Sequence, residues 1–541
     1  MATFPLLPKH IKRAYQNSFV LALFAGLVAI FVFVPYLNSY PMQNWDEGFY
    51  AQATKEMVSS HDIWSLTYQH NAFYEKPPLL MWLSYPVVQI FHEANWTFRF
   101  WSALAGVASA IIFSLFVWQK EKRPSIAWLA TVIFLSAEAL LYHCFRTGDT
   151  DGLLIFFLIF GLFAYWKSWL KPSWILGTAI AFSLAVMSKS AAGLIGPVIV
   201  LCDILFSRRW NIVRSKYFWY SILAFISVVA PWHIAQTILH GHEFWSSYLG
   251  SQIVGRTVLQ IFAQGFPWYW YIGVFARRFF PFSLFFPAAL LLSIRQIIRG
   301  KKDSMFILLW ALVPLIVYSI AITKFEWYIL PVYPAAAWLI ARLIIAATDK
   351  LTPDRLAQVL AVVSVGAAVF FFARYATPHF LTDQYSALAT TTRYGISGVM
   401  AAALCMLFVV SRNKKKAMYG LIALSLVFCF FVSYARTIKV VVTQTRHSPY
   451  QDVARIVNDQ GASRVVVFDS DLYTKPAGYF ELSRVVEEIL PVVQEEAWKV
   501  RHLALPGTVV ITSATADLSV VKKDTLIGVV DSYNLYYVPK H

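Results

Sequence analysis

Residues 18–37 read SFVLALFAGLVAIFVFVPYL and contain no charged side chain. About 20 apolar residues are enough for a helix to cross the hydrocarbon core of a bilayer. A short basic segment precedes this run, and no small-residue cleavage site follows it. The pattern therefore predicts a retained membrane helix and argues against a cleaved signal peptide.

Comparable apolar runs recur through most of the chain. The 541 residues are 58% hydrophobic and 14% charged, whereas soluble proteins carry roughly 25% charged residues. We therefore predict an all-α polytopic membrane protein with about 13 transmembrane helices. The spans that follow the first are 97–119, 126–145, 152–170, 174–188, 191–206, 217–239, 279–298, 305–323, 327–347, 357–374, 395–411 and 416–436.

The basic residues predict the orientation in the membrane. Lysines and arginines concentrate in alternate loops, and such loops face the cytoplasm. This places the N-terminus in the cytoplasm, and an odd number of spans places the C-terminus outside. The net charge of +17 thus reflects topology, so the expected partners are membrane lipids and not nucleic acid.

Two units are predicted along the chain. Residues 1–436 form a transmembrane domain with long outer loops at 38–96 and 240–278. The apolar stretch 75–91 is too short to span and is predicted to lie at the membrane surface. Residues 437–541 alternate strand-like and helix-like runs, which is typical of a small α/β domain, here outside the membrane. Its predicted strands are 464–468, 508–512 and 525–530. Its predicted helices are 449–459 and 481–499.

Acidic and basic side chains crowd the outer ends of the predicted spans. A charge is costly inside a bilayer, so such a cluster indicates a polar site on the outer face. Its members are Asp46, Glu47, Glu75, Lys76, Arg99, Arg146, Asp149, Asp151, Lys189, Glu243, Arg256, Arg277, Arg278, Lys324 and Glu326.

The first motif in this cluster, residues 44–50, reads NWDEGFY. Asp46 and Glu47 suit the first turn of a helix, where carboxylates interact favourably with the helix dipole. A carboxylate held at the membrane surface also suits the orientation or deprotonation of an acceptor. The spacing leaves both interpretations open.

The second motif, FYEKPPL at residues 73–79, places Glu75 and Lys76 before two prolines that fix the backbone. Its lysine has an alternative role at phospholipid headgroups. The third, RTGDTD at residues 146–151, puts two carboxylates in a very short outer loop, with a solvated turn as the alternative.

The fourth motif, TKFEWYILP at residues 323–331, places Lys324 and Tyr328 at the entrance of a span. A snorkelling lysine beside an interfacial aromatic belt is the alternative. No histidine or cysteine spacing indicates a metal site, so neither a metal nor another cofactor is predicted.

Together, the outer cations and carboxylates suit a lipid-linked phosphate. Its tail remains in the bilayer while its headgroup meets lysine and arginine at the interface. A polyprenyl phosphate departs without a strong general acid when cations stabilise the developing charge.

These motifs resemble those of the polytopic glycosyltransferases of the C-type (GT-C) fold, within the protein O-mannosyltransferase superfamily. They are most similar to the bacterial undecaprenyl-phosphate aminoarabinose transferases, which modify lipid A. The resemblance covers most of the chain and rests on the order and spacing of Asp46-Glu47, Tyr50-Ala51, Glu75-Lys76-Pro77, Arg99, Asp151, Ser188-Lys189, Pro231-Trp232, Phe244-Trp245, Arg256, Pro267-Trp268-Tyr269, Lys324 and Tyr328.

The resemblance implies inverting transfer of a sugar from a polyprenyl-phosphate donor to a lipid or glycan acceptor. By position, it implies that Asp46 and Asp151 are the essential acids, and we add Glu47 as a third candidate catalytic carboxylate. The residues expected to bind the donor phosphate are Lys76, Arg256 and Lys324. The residues expected to line the cavity are Tyr50, Glu75, Asp149 and Tyr328. A lipid A phosphate as acceptor needs Asp46 only to position the sugar, whereas a hydroxyl acceptor makes Asp46 the candidate base.

One stretch departs from the family pattern. A Glu-His pair often lies three residues before the arginine matched by Arg256, but residues 252–255 here read QIVG. If that histidine holds a metal together with the glutamate matched by Glu75, half of the pair is missing. The departure predicts metal-independent action and weakens the case for lipid A as the acceptor.

Two alternatives remain from the sequence. An enzyme of the same fold with a protein or polysaccharide hydroxyl as acceptor shares every motif above. A lipid-linked sugar flippase or transporter binds near the bilayer midplane, often between related halves. Glu138, an acid inside a predicted span, keeps that second alternative open.

Overall fold

The computed structural model describes residues 17–258, 265–280, 282–301, 303–350, 448–468, 470–492, 498–513 and 526–538. Helices account for most of the described chain up to residue 350, and a mixed β-sheet lies in the last described part. The predicted spans 357–374, 395–411 and 416–436 lie outside the described residues.

The α-helices before residue 351 are numbered in chain order. They are α1 Ser18–Phe33, α2 Asp46–Ser60, α3 Leu79–Phe91, α4 Asn95–Glu121, α5 Pro124–Leu135, α6 Glu138–His143, α7 Asp151–Ser168, α8 Trp174–Lys189, α9 Ile195–Phe206, α10 Trp210–Val213, α11 Lys216–Trp245, α12 Arg256–Val258, α13 Trp270–Arg278, α14 Phe286–Ile298, α15 Asp303–Ile320 and α16 Val332–Lys350. Between them lie the 3₁₀ turns Ser190–Leu194, Phe282–Phe285 and Glu326–Ile329, the π-helix Ser246–Gly255, and a short hairpin of β1 Thr67–Tyr68 and β2 Asn71–Ala72.

Several of these helices are able to span a membrane. In the described part of the chain, five helical stretches are long and apolar enough by length and composition: Asn95–Glu121, Asp151–Ser168, Trp174–Phe206, Lys216–Gly255 and Asp303–Ile320. Shorter apolar helices are Ser18–Phe33, Leu79–Phe91, Pro124–Leu135, Phe282–Ile298 and Val332–Ala347. Each predicted span that falls within the described ranges therefore contains a helix.

The predicted span 126–145 is not one continuous helix. Ala137 has an extended backbone between α5 and α6, with φ −69° and ψ 112°. This break puts Glu138 at the start of α6, where its Oε1 lies 2.9 Å from Nη1 of Arg278. Glu138, the acid that left a transporter function as an alternative, thus has a cationic partner.

Helix α11 has several large apolar side chains that are exposed on the surface of the protein. Trp219, Leu223 and Ile238 expose 59%, 65% and 78% of their surface. Contiguous apolar patches of this kind are rare on soluble proteins and mark contact with lipid or another protein. These exposed side chains of α11 fit contact with lipid or with another protein segment.

Aromatic rings pack the interior of the helical part. The ring of Phe116 stacks on Trp310, with centroids 6.1 Å apart, and meets Trp338 edge-on at 4.9 Å. All three residues are fully buried. This packing joins α4 to α15 and α16 and so fixes the helices whose outer ends carry the charged cluster.

The last described part contains a five-stranded sheet. Its elements are α17 Pro449–Asp459, β3 Arg464–Phe468, α18 Pro476–Ser483, β4 Glu488–Val492, α19 Trp498–Leu503, β5 Thr508–Ser513, β6 Leu526–Val530 and β7 Tyr533–Tyr537. The strand order is β4-β3-β5-β7-β6; β4, β3 and β5 are parallel, and β7 and β6 join antiparallel.

Four of these eight elements, α17, β3, β5 and β6, coincide with those predicted from the sequence. The predicted helix 481–499 is wrong, because residues 488–492 form the edge strand β4 beside β3. Pro491 is compatible with an edge strand, where a missing N–H interrupts no ladder on the open side. Strand β7 had not been predicted.

Candidate functional site

Helix α2 begins with the first motif and presents its two carboxylates. Trp45 precedes it with φ 70° and ψ −124°, a positive-φ conformation that costs free energy for a residue with a side chain. This sharp entry directs Glu47 into the protein, where it is 2% exposed, and leaves Asp46 partly exposed. The two neighbouring acids therefore have different surroundings.

Glu47 is bound on all sides. Arg99 donates from Nε to Oε1 at 2.6 Å and from Nη2 to Oε2 at 2.8 Å. The backbone N–H of Gly148 donates to Oε1 at 2.8 Å, and that of Gln43 donates to Oε2 at 2.7 Å. A carboxylate with both oxygens so engaged suits a role in holding the outer loops together.

Arg99 completes this junction. Its guanidinium also donates to the carbonyl oxygens of Leu37, Tyr40 and Pro41 at 2.7, 2.9 and 2.8 Å. The side chain is fully buried, and a buried charge is tolerated only when its donors are satisfied in this way. Arg99 therefore ties the end of the first span to α2 and α4.

A second group of charges surrounds the start of α7. The ammonium of Lys189 donates to Oδ2 of Asp151, and both side chains are buried. Nδ1 of His143 lies 3.6 Å from Oδ2 of Asp149, and its Nε2 lies 3.7 Å from Oδ2 of Asp151. Burial, together with the charges of Asp46 and Glu47, raises the pKa of Asp149 well above its usual range.

Tyr50 lies among these carboxylates. Its side chain is buried one turn after Asp46. Burial, followed by the charges of Asp46, Asp149 and Glu75, raises the pKa of its phenol well above the ordinary value. Tyr50 therefore remains a neutral hydrogen-bond donor, and the charges acting on it show that the first three motifs meet in one place.

Lys76 is buried at 7% exposure, with Nζ 4.0 Å from Oε2 of Glu75. The two prolines that follow it lead directly into α3, as their place at a helix start favours. A buried ammonium beside a helix start is suited to binding an anionic group.

The fourth motif reaches the same region from the opposite end of the sequence. The ring of Trp327 stacks on His143 with centroids 4.0 Å apart. Nζ of Lys189 lies 5.8 Å from the centre of the Tyr328 ring. Lys324 is 2% exposed and donates to the carbonyl oxygen of Ala321.

The segment that begins with Arg256 runs beside this motif. The N–H of Ile322 donates to the carbonyl oxygen of Thr257 at 3.1 Å, and Gly265 pairs with Thr323 in an antiparallel bridge. The backbone of residues 256–258 is thus next to the Lys324 segment.

The site also rests on the C-terminal part of the chain. A Cβ added to Gly48 meets the amide nitrogen of Ala477 at 2.7 Å, so α18 packs directly against the first turns of α2. Lys55 donates to the carbonyl oxygen of Ser483, and Oγ of Ser483 donates to Oε1 of Gln52 at 2.9 Å. These contacts fix the helix that carries Asp46.

Gly48→Ala is expected to push α18 away from α2, because the contacts of the new methyl group are backbone and proline atoms. Overpacking of this kind costs about 1–3 kcal/mol, and we expect a lower melting temperature and faster proteolysis within residues 448–538. Gly250→Ala is the control, since an added Cβ there meets no atom within 4 Å. Equal stability of the two variants would contradict this docking.

Sequence reasoning missed two features of the site. His143 lay inside a predicted span, where a single histidine gives no motif. The pairing of Glu47 with Arg99 was also missed, because the two residues are 52 positions apart in sequence. The arrangement as a whole combines a partly exposed acid, Asp46, with buried cations at Lys76 and Lys324, and such a set can orient a sugar beside a phosphate.

Comparisons with known proteins agree with this picture. Residues 75–234 match the family model of dolichyl-phosphate-mannose-protein mannosyltransferase. A crystal structure of ArnT from Cupriavidus metallidurans bound to undecaprenyl phosphate superposes with a TM-score of 0.76, covering 95% of this chain and 97% of that one at 15% identity. The chain has the fold of ArnT.

Two relatives align over a smaller share of the chain. An undecaprenyl phosphate-alpha-4-amino-4-deoxy-L-arabinose arabinosyl transferase of Aeromonas hydrophila is 25% identical over 326 residues, covering 58% of each chain. An uncharacterized protein of Aquifex aeolicus is 26% identical over 332 residues, covering 60% of this chain and 64% of that one. The aligned region thus spans about three fifths of these relatives. The resemblance inferred from the sequence motifs is confirmed.

Proposed function

We propose that the protein is an integral-membrane glycosyltransferase that moves a 4-amino-4-deoxy-L-arabinose-like sugar from undecaprenyl phosphate to lipid A. The full-length match to ArnT, solved with undecaprenyl phosphate, carries the proposal. The names of the curated relatives support the sugar and the carrier. The proposal includes the bacterial inner membrane, about 13 spans, a cytoplasmic N-terminus and an outer soluble domain at 437–541.

The proposed reaction is a displacement at the anomeric carbon of the sugar. An acceptor oxygen forms a bond to that carbon while the bond to the carrier phosphate breaks, and the bonding electrons leave with undecaprenyl phosphate. The cations Lys76, Arg256 and Lys324 stabilise the departing charge. An acceptor phosphate is already deprotonated, so Asp46 positions the sugar; with a hydroxyl acceptor, Asp46 takes its proton.

The remaining residues hold these groups in place. Asp151 is paired with Lys189, and Glu47 with Arg99, so each acts as a positioning residue in the proposed scheme. Tyr50, Glu75, Asp149 and Tyr328 line the cavity. The two carboxylates with cation partners keep the outer loops and α7 together while Asp46 faces the substrate.

The test is transfer by the full-length protein reconstituted in nanodiscs with undecaprenyl-phosphate aminoarabinose and lipid A. Mass spectrometry should find lipid A heavier by one sugar residue, and should find none with Asp46→Asn. Transfer to a glycan or a protein, with lipid A unchanged, would overturn the acceptor assignment. Absence of transfer to any of them would overturn the enzymatic proposal.

Lys76→Ala is expected to raise the KM for the donor at least about tenfold, because a hydrogen bond to a charged group contributes about 1.5–3 kcal/mol. The control is Lys475→Ala, whose partly exposed ammonium pairs with Asp471 in the C-terminal part. Donor titrations with both proteins make the comparison. An unchanged KM in Lys76→Ala would remove this lysine from the phosphate site.

Burial lowers the pKa of the Lys324 ammonium, which gives donor binding a pH dependence. A cation with a lowered pKa loses its charge at a lower pH than an ordinary lysine, so donor affinity should fall early as the pH rises. Arginine remains protonated throughout, and Lys324→Arg should therefore move this alkaline limb to higher pH. The control is Lys55→Arg, because burial lowers the pKa of Lys55 as well and it lies against α18. A limb that moves equally in both variants, or in neither, would contradict the assignment.

A further inference from the structure

A cavity of about 540 Å³ lies between the C-terminal ends of α2, α3 and α18. Its walls include Val58 of α2, Val88 and Phe91 of α3, and Arg484, which follows α18. Val58 comes 12 positions after Asp46 in the same helix, which separates the two by about 18 Å along α2. Ligand sites commonly have volumes of about 300–1,000 Å³ and combine apolar walls with a few polar groups. The cavity therefore has the size and composition of a binding site, and it is distinct from the charged cluster around α7.

Two opposite charges line this cavity without pairing with each other. They belong to Glu93 and Arg484. The guanidinium of Arg484 donates from Nη1 to Oε2 of Glu481 at 3.0 Å and from Nη2 to the backbone oxygen of Glu93 at 2.7 Å. The carboxylate of Glu93 lies 3.3 Å from Nζ of Lys55 instead. No carboxylate oxygen of Glu93 is within 4.0 Å of a guanidinium nitrogen of Arg484, although the structure describes both residues.

Lys55 and Glu481, which are more buried, hold these two charges in place. Lys55 is itself fixed by the carbonyl oxygen of Ser483. The side chains of Glu93 and Arg484 are 33% and 29% exposed, so each keeps atoms that a ligand can reach. Charges that are already fixed reduce the entropy lost when a ligand binds.

The end of α3 adds an apolar rim and a strained residue. Ile90 and Phe91 expose 67% and 56% of their surface, and such side chains mark contact with lipid or protein. The sequence predicts this stretch to lie at the membrane surface, which places the rim near lipid headgroups. His92 lines the cavity with φ 61° and ψ −173°, an unfavourable conformation for a residue with a side chain. Backbone strain of this kind clusters at ligand-binding sites.

A zwitterionic phospholipid headgroup carries the charges that this arrangement requires. Its phosphate suits the guanidinium of Arg484, which presents several N–H groups to phosphate oxygens. Its ammonium suits the carboxylate of Glu93, and its acyl chains suit the exposed side chains of Ile90 and Phe91. A lipid with a phosphate but no ammonium would place a like charge near Glu93.

We propose that the cavity between α2, α3 and α18 binds the headgroup of a phospholipid that carries a phosphate and a primary ammonium, such as phosphatidylethanolamine. Arg484 binds the phosphate and Glu93 binds the ammonium. The lipid joins the end of α3 to the C-terminal part of the chain and so stabilises the packing of α18 on α2. This binding does not depend on the proposed sugar transfer.

The test is lipid binding by the purified, delipidated full-length protein in detergent, measured by native mass spectrometry. Phosphatidylethanolamine is compared with phosphatidylglycerol, which lacks the ammonium, and with phosphatidylcholine, whose ammonium has no N–H to donate. One phosphatidylethanolamine per chain should bind at least about tenfold more tightly than either, because a hydrogen bond to a charged group is lost with each of them. Its binding should also raise the melting temperature.

Two variants separate the two halves of the headgroup. Glu93→Gln should remove the preference for phosphatidylethanolamine, whereas Arg484→Gln should weaken the binding of all three lipids. Arg484→Lys keeps the charge and should restore part of the lost affinity. Glu487→Gln, at an exposed glutamate of the C-terminal part, is the control and should change neither property. Melting temperatures without lipid show whether each variant is folded.

Equal affinity of the wild-type protein for the three lipids would overturn the proposal, as would an unchanged preference in Glu93→Gln. Binding of free phosphoethanolamine as tight as that of phosphatidylethanolamine would assign the cavity to a soluble zwitterion and overturn the lipid.

Discussion

Asp46→Asn is expected to lower kcat for sugar transfer by about 10²-fold, the usual cost of losing a group that positions the substrate. Asparagine keeps the size of the side chain but removes the charge. Asp46 begins α2 and is partly exposed, whereas Glu47 beside it has both oxygens engaged. The chemistry is therefore expected to depend on the first acid of the pair.

Initial rates with saturating donor and acceptor measure this effect, and the melting temperature shows whether the variant is folded. The matched control is Asp62→Asn in the same outer loop. Asp62 accepts from the N–H groups of Trp64 and Ser65, which an amide oxygen also does. If Asp46→Asn and Asp62→Asn retained similar kcat values, Asp46 would have no part in the reaction.

Arg99→Ala is expected to destabilise the protein by about 3–5 kcal/mol, the cost of leaving a buried charge without its partner. The change leaves the carboxylate of Glu47, whose side chain is 1% exposed, without its cationic partner. It also leaves three carbonyl oxygens of the first outer loop without their hydrogen-bond donor. Denaturant titration in detergent and proteolysis of residues 38–96 measure the effect.

Arg123→Ala serves as the control for charge alone. Arg123 pairs with Asp349, but both side chains are about two-fifths exposed, and such pairs contribute less than about 1 kcal/mol. Replacing both partners of the buried pair, as in Glu47→Met with Arg99→Met, should restore part of the lost stability. Equal losses in Arg99→Ala and Arg123→Ala would refute the importance of the buried junction.

The sequence was informative wherever a property is local. Apolar runs of membrane length predicted where helices lie, and short strand-like runs rich in valine predicted β3 and β5. The polar residues at span ends placed Asp46, Asp149 and Asp151 on one side of the predicted topology. The structure brings these three residues together with Lys189 and His143.

Long-range pairing was not predictable in this way. Glu47 and Arg99 are 52 positions apart, and neither has a local pattern that selects the other. Residues 488–492 became a strand because β3 offers a parallel edge, which outweighed their helix-like context. His143 entered the site because α5 and α6 are separate helices, and no pattern within 126–145 indicated the break.

The contact between α2 and α18 has a consequence for biogenesis. Lys55 and Ser483 are separated by 428 positions, so the support of α2 is complete only long after α2 itself has been synthesised. The junction of Glu47 with Arg99 and Gly148 closes much earlier. A ribosome stalled before α18 would therefore leave a nascent chain whose carboxylates are already grouped but whose first outer helix is still uncovered, and quality-control proteases would encounter it at that surface.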